Sequence, residues 1–261
     1  MGGLAHLIPE AGRTPEVPLI ERVQQDLNIW NIPEGPWRLG ELLGYPIDLN
    51  PRTIIFTWVA MVIVLALSAA AVRTAHVRYP GRPAIAYEII IDFIRDMIKD
   101  TMEERKGNMV LSLAMTFLIF IAVMNMLGIV PTLFAPTADH QTAFAFAGVT
   151  FVTLHLWGIR YRRGEYLKDF LRPYPFFLPI RLIEEVAKPV TLAIRLFGNM
   201  KGKEIMILAL LGLITGVAEL AGGFMASVLW LGFGLFISII QAFVFTILSI
   251  AYISLAVTES H

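Results

Sequence analysis

Arg195 stands in an apolar run, with Glu184, Lys188 and Asn199 close to it in sequence. At about 100° per residue from Glu184, Lys188 falls at about 40°, Arg195 at about 20° and Asn199 at about 60°. The four therefore share one helical face, flanked by Ile183, Val186, Leu192, Ala193, Leu196 and Phe197. Glu204 comes out on the opposite side, at roughly 200°, if the helix is unbroken. Pro189 is expected to kink it on the way. An arginine at the centre of a bilayer costs about 2.5–3.5 kcal/mol on insertion scales, so it must face protein or a water-filled cavity. Its guanidinium does not lose a proton there and cannot relay protons stepwise. It can act as a fixed positive charge that holds a passing carboxylate ionised. Two structural readings stand beside this one: an arginine snorkelling to an interface, and a static ion pair with Glu184.

A second polar series lies near the C-terminus. Ser227, Gly234, Ser238, Gln241 and Ser249 recur at helical spacings and form a small, mildly polar stripe suited to close helix packing. Gln241 is the strongly polar member. An interhelical hydrogen bond would explain it as well as a transport role.

The elements that must position these residues belong in a membrane. Of 261 residues, 56% are hydrophobic and only 16% charged, and mean hydropathy is +0.67. Too few polar groups are present to cover a water-soluble surface of this size. The formal net charge of zero argues against a nucleic acid or an acidic partner. The absence of cysteine excludes disulfides and thiolate metal sites, and no cofactor or metal is implied. Residues 1–50 carry six prolines among scattered charges, with no apolar run resembling a cleavable signal. They read as a polar lead-in to a membrane domain over 51–261.

Residues 53–72 contain no charge and are long enough to cross about 30 Å of hydrocarbon. They end at Arg73, His76, Arg78 and Arg82. A second span lies within 109–138 and is expected to exit near Pro131, and a third, 141–159, ends at Arg160, Arg162, Arg163 and Lys168. The loop 131–140 has no lysine or arginine. The positive-inside rule places the basic loops in the cytoplasm and that loop, with the N-terminus, outside. Residues 84–102 carry Glu88, Asp92, Arg95, Asp96 and Lys99 opposite Ile90, Phe93, Ile94, Met97 and Ile98. This is an amphipathic helix for the interface or for a partner. Residues 220–258 are uncharged and would make a helix of nearly 60 Å, about twice the hydrocarbon thickness. They either break into two spans or form one steeply tilted helix. Residues 176–218 pose the same problem with charges added.

The run from Lys188 through Pro189, Thr191, Arg195, Phe197, Gly198 and Asn199 to Met200 resembles the signature of subunit a of F-type ATP synthases. Asn125, Gly128 and Pro131 resemble that family's second motif, and Ile240 to Phe245 with the 252–259 tail resembles its C-terminal helix. The likeness runs from about residue 53 to the end. It implies an all-α integral membrane fold with about five transmembrane helices, the last two long and strongly tilted, plus one interfacial helix. It further implies a non-catalytic stator subunit in the bacterial plasma membrane, with the C-terminus cytoplasmic. Two proton half-channels would meet at the c-ring, with peripheral-stalk b subunits and lipid as further partners. Carried over by position, Arg195 is the essential arginine, Asn199 and Gln241 are polar positions beside it, and Glu204 is an acidic position on the proton path. Glu184 and Lys188 could modulate that path.

Two features depart from the family pattern. Lys201-Gly202-Lys203 stands where small residues are usual, and Gly234 takes the place of a histidine that many bacterial relatives carry. Lys203 is therefore a candidate modulator that would stabilise ionised Glu204, with snorkelling or structural pairing to Glu204 as the plainer readings. A stand-alone secondary transporter that grips an anion with the buried arginine is the alternative, and it should show inverted repeats and broken helices. No metalloprotease His pair, nucleophile elbow or phosphate-binding glycine loop is present.

Overall fold

The computed structural model describes residues 37–42, 45–76, 79–130, 133–169, 174–217 and 221–258. The expectations placed on Arg78, Pro131 and Glu259 lie outside these residues. Most of the polar lead-in does as well, but its end folds into a small antiparallel hairpin, β1 (Trp37–Leu42) and β2 (Tyr45–Leu49), with Trp37 opposite Leu49. This hairpin is an exception to the all-α reading.

Helix α1 (Pro51–Arg73) begins with Pro51 at a position whose missing N–H costs nothing, and the Asn50 side chain accepts from the Arg52 N–H at 3.1 Å. Its length and composition suit a membrane crossing. Trp58, Val62 and Leu65 point away from the protein, while Phe56 and Ala60 are buried. Outward apolar residues on such a helix are at home in lipid. Helix α2 (Arg82–Lys99) buries Ile94 and Ile98, and its Arg95–Asp92 and Lys99–Asp96 pairs lie on the exposed side. This is the amphipathic helix expected from sequence, and it packs on α1 and α3.

Helix α3 (Glu104–Leu127) ends at Gly128. A Cβ there would stand 2.4 Å from the Ala135 Cβ, so only glycine lets the following loop fold back so closely. The loop then forms a short 3₁₀ turn, Pro136–Ala138, and Asp139 caps helix α4 (His140–Arg162) by accepting the Gln141 N–H at 3.0 Å. The other Asp139 oxygen accepts from the Thr53 hydroxyl at 2.6 Å, joining the starts of α1 and α4. The Gln141 side chain donates to the Asp48 carbonyl at 2.5 Å and holds the hairpin there. At its far end α4 passes through Arg163 (φ 50°) into the short helix α5 (Gly164–Asp169).

Helices α6 (Leu178–Val217) and α7 (Ala221–Val257) have 40 and 37 residues. At 1.5 Å per residue they are about 60 and 55 Å long. Neither breaks, and Pro189 lies inside α6 without ending it. The split of the last apolar stretch into two spans, left open by its sequence, does not occur. Either helix must lean far over, or project, to meet about 30 Å of hydrocarbon.

One core cluster joins the helices around Phe117, Ile121, Met124, Leu192, Leu196, Ala242 and Phe245. Phe117 meets Phe245 edge-to-face at 5.5 Å and Phe146 at 6.0 Å. A second cluster, towards the basic end, gathers Ile94, Ile98, Val110, Leu154, Tyr166, Ile250 and Ile253. In lipid such packing, with about 0.5–1.5 kcal/mol per aromatic pair, replaces the missing hydrophobic drive between helices.

Candidate functional site

Arg195 lies on an exposed face of α6 while Leu192, Ala193 and Leu196 beside it are buried against the other helices. Among the described residues no carboxylate pairs with it. The static pair with Glu184 is therefore not formed, and Glu184 is itself exposed. Thr191, Gly198 and Gly202 share the exposed face, and a Cβ on either glycine would meet nothing within 4 Å. The cation thus stands on a strip of small side chains that another helix could approach closely.

One turn beyond Arg195, Asn199 reaches across to α7, where its Nδ2 donates to the Gln241 Oε1 at 2.5 Å. Gln241 is buried, and its Nε2 has no hydrogen-bond partner among the described residues. A hydrogen bond between membrane helices is worth about 0.6 kcal/mol on average, too little to hold two long helices together. The bond therefore sets positions rather than stability. The stripe of small polar residues faces inward as well: Gly234, Ser238 and Ser249 are buried, and the Ser249 and Thr150 hydroxyls meet at 3.3 Å. The Ser227 side chain lies outside the described residues.

Lys188, which helical spacing assigns to the same face, pairs with Glu185. Its Nζ donates to Glu185 Oε1 at 2.5 Å. Glu184 at i−4 and Glu185 at i−3 are both within reach on a helix, and Glu185 lies on the half-buried side.

Lys203 is buried, 5% exposed, so it does not snorkel to an interface. Its Nζ donates to the Asn125 carbonyl and to the Ser238 hydroxyl oxygen, each at 3.1 Å. Asn125 is the centre of this group. Its Nδ2 donates to the Ser238 carbonyl at 3.1 Å, its Oδ1 accepts from the Thr137 hydroxyl at 2.6 Å, and its carbonyl also accepts from the Ser238 hydroxyl at 3.2 Å. Both acceptors of the ammonium are neutral, and burying a cation costs several kcal/mol unless it is paired. Glu204 follows it in α6, with its side chain outside the described residues. Asn125 entered the sequence reading only as part of a motif, and Thr137 and Glu185 did not enter it as site residues. The half-buried position of Glu185, not its type, distinguishes it from Glu184.

Among the described residues no cluster of His, Asp or Glu could hold a metal ion. The groups are one exposed fixed cation, an amide pair one turn from it, and a buried lysine of α6 bonded to α3 and α7. Such a set can adjust the charge of a group brought to it.

The family described as ATP synthase A chain matches residues 54–254. Subunit a of ATP synthase from Desulforamulus reducens is 38% identical over 242 residues, covering 90% of each chain. Its counterpart from Bacillus subtilis is 36% identical, covering 86% of this chain and 98% of its own. That from Desulfosudis oleivorans is 37% identical, covering 86% and 96%. Beside the bond from Asn199 to Gln241, one turn from Arg195, a match of this extent establishes the chain as a member of the ATP synthase subunit a family.

Proposed function

We propose that this chain is the non-catalytic stator subunit of a bacterial rotary ATP synthase and carries protons past a ring of c subunits. The observation that carries this reading is Arg195, unpaired among the described residues on an exposed strip of α6, one turn from the Asn199–Gln241 bond. A ring carboxylate reaching that strip meets a fixed cation, which favours its ionised form and releases its proton to one half-channel. Beyond the arginine it is reprotonated from the other half-channel and returns to lipid neutral, avoiding the cost of a bare buried charge. Arg195 also repels a hydronium ion that would cross directly. Each proton gains about 2.3 kcal/mol per 100 mV, so several must pass for each ATP.

The basic ends of α1, α4 and α5 face the cytoplasm in this reading, with the hairpin and the 3₁₀ turn outside. The peripheral-stalk b subunits and lipid cover the remaining apolar surface. Glu204 serves the outer half-channel, Lys203 and the Asn125 group line it, and Glu184 and Lys188 modulate the cytoplasmic side.

The test is Arg195→Ala in the whole complex, reconstituted in vesicles. Assembly should persist while ATP synthesis and ATP-driven pumping are abolished. Coupled pumping retained by the assembled variant would overturn the reading.

A further inference from the structure

Towards the basic end of the bundle, helices α4, α5 and α6 bring together ionisable groups for which the Arg195 site has no use. The Tyr166 hydroxyl lies 3.2 Å from His155 Nδ1, and the Tyr166 ring covers Gly158, where a Cβ would come within 2.6 Å of it. Phe151 backs the imidazole, with ring centroids 4.1 Å apart. Among the described residues no hydrogen bond reaches its Nε2. From α6, Glu185 and Lys188 act electrostatically on His155, and Glu185 and Arg162 act on Tyr166. Glu185 gives one oxygen to Lys188, while its Oε2 is buried and has no hydrogen-bond partner among the described residues.

These groups lie at one level of the bundle. His155 is seven residues from the end of α4, about 10 Å, and Glu185 is ten residues before Arg195, about 15 Å. The cluster therefore stands between the arginine and the basic end. Ionisable groups at membrane depth are costly, and a buried carboxylate oxygen without a partner adds to that cost. A packing role alone would be served as well by apolar side chains.

We propose that His155 is a proton-transfer residue on the cytoplasmic side of the path, oriented by Tyr166 and balanced in charge by Glu185. This rests on the subunit a reading and adds a residue to it. A proton released at the Arg195 strip binds His155 Nε2, giving an imidazolium, and leaves from the same nitrogen to water at the basic end. The ionised Glu185 offsets the transient charge. Tyr166 is a positioning residue: burial first, and the nearby Glu185 second, push its hydroxyl up to about 12, against the pull of Arg162. It stays protonated throughout the working range and holds the ring without exchanging protons.

The experiment uses the complete ATP synthase in vesicles, with ATP-driven pumping and gradient-driven synthesis followed across pH and subunit content measured in each preparation. His155→Gln should assemble and slow both rates by about a hundredfold or more, the lower end of the range expected for loss of a proton-transfer group. Added imidazole should restore part of the loss. Tyr166→Phe keeps the ring over Gly158, loses less rate, and moves the pH at which the rate falls. If His155→Gln fails to assemble, Glu185→Gln decides in its place by the same pH shift. Parental rates and pH profiles in the assembled variants would overturn the inference while leaving the Arg195 reading intact. Pumping by Arg195→Ala would instead overturn the reading beneath it.

Discussion

The aliphatic stem of Lys203 crosses Gly234, its Cδ 3.6 Å from where a Cβ on that glycine would stand. The lysine on α6 and the glycine on α7 are thus a matched pair. The bare backbone at Gly234 leaves the room through which the ammonium reaches Asn125 and Ser238. At this point of α7 a nitrogen arrives from the neighbouring helix.

Substitutions at the two positions should therefore not add. Gly234→Ala, whose Cβ makes ordinary contact, should pump like the parent. Gly234→His should displace the lysine and lose most ATP-driven pumping, and Lys203→Gly in the same chain should restore part of it. Residues in contact commonly couple by about 0.5–3 kcal/mol, and a double-mutant cycle on pumping rate measures it. Strict additivity would mean that the two side chains do not compete for this space.

Arg195→Lys keeps the positive charge and should still fail. A lysine at membrane depth can lose its proton, and a compact ammonium replaces the planar fork of the guanidinium. Coupled synthesis is expected to fall at least about tenfold in assembled complexes, the size of a change worth about 1.4 kcal/mol. Rates close to the parent's would mean that any cation suffices on this strip.

Gln241→Leu separates positioning from stability. The lost bond to Asn199 should change the thermal midpoint of the complex little, since such bonds average about 0.6 kcal/mol. Pumping should nevertheless fall several-fold, because Asn199 loses the partner that fixes it one turn from Arg195. A large fall in the midpoint together with normal pumping would reverse this assignment.

Gly158→Ala should drive the Tyr166 ring off α4, because the new methyl would lie 2.6 Å from it. A destabilisation of about 1–3 kcal/mol is typical of such overpacking. A lower thermal midpoint together with the pH shift of Tyr166→Phe would tie the ring's seat to the His155 bond. An unchanged midpoint would show that the ring is free to move.

The spans were legible because lipid imposes length and composition directly: the expected 53–72 and 141–159 became Pro51–Arg73 and His140–Arg162. Helical spacing assigned Glu184, Lys188, Arg195 and Asn199 to one face, and all four lie on the continuous helix α6. The partners were not legible. Lys203 meets Asn125 and Ser238 across 78 and 35 residues of chain, through a fold that no local periodicity encodes. Lys188 had two carboxylates in helical reach, and only the packing around α6 distinguishes Glu185 from Glu184. The hairpin before α1 was hidden by the prolines and charges of the lead-in, whose composition left open whether it folds.

The loop between α3 and α4 is held at Gly128 by Ala135, at Thr137 by Asn125, and at Asp139 by Thr53. With so many fixings in so few residues, it has little slack to give. A tag or fluorophore inserted there would strain the lysine cluster and the cap of α4 together, whereas the turn between α1 and α2 carries no comparable set of long-range bonds among its described residues. Labels for following the subunit in the turning enzyme belong in that turn.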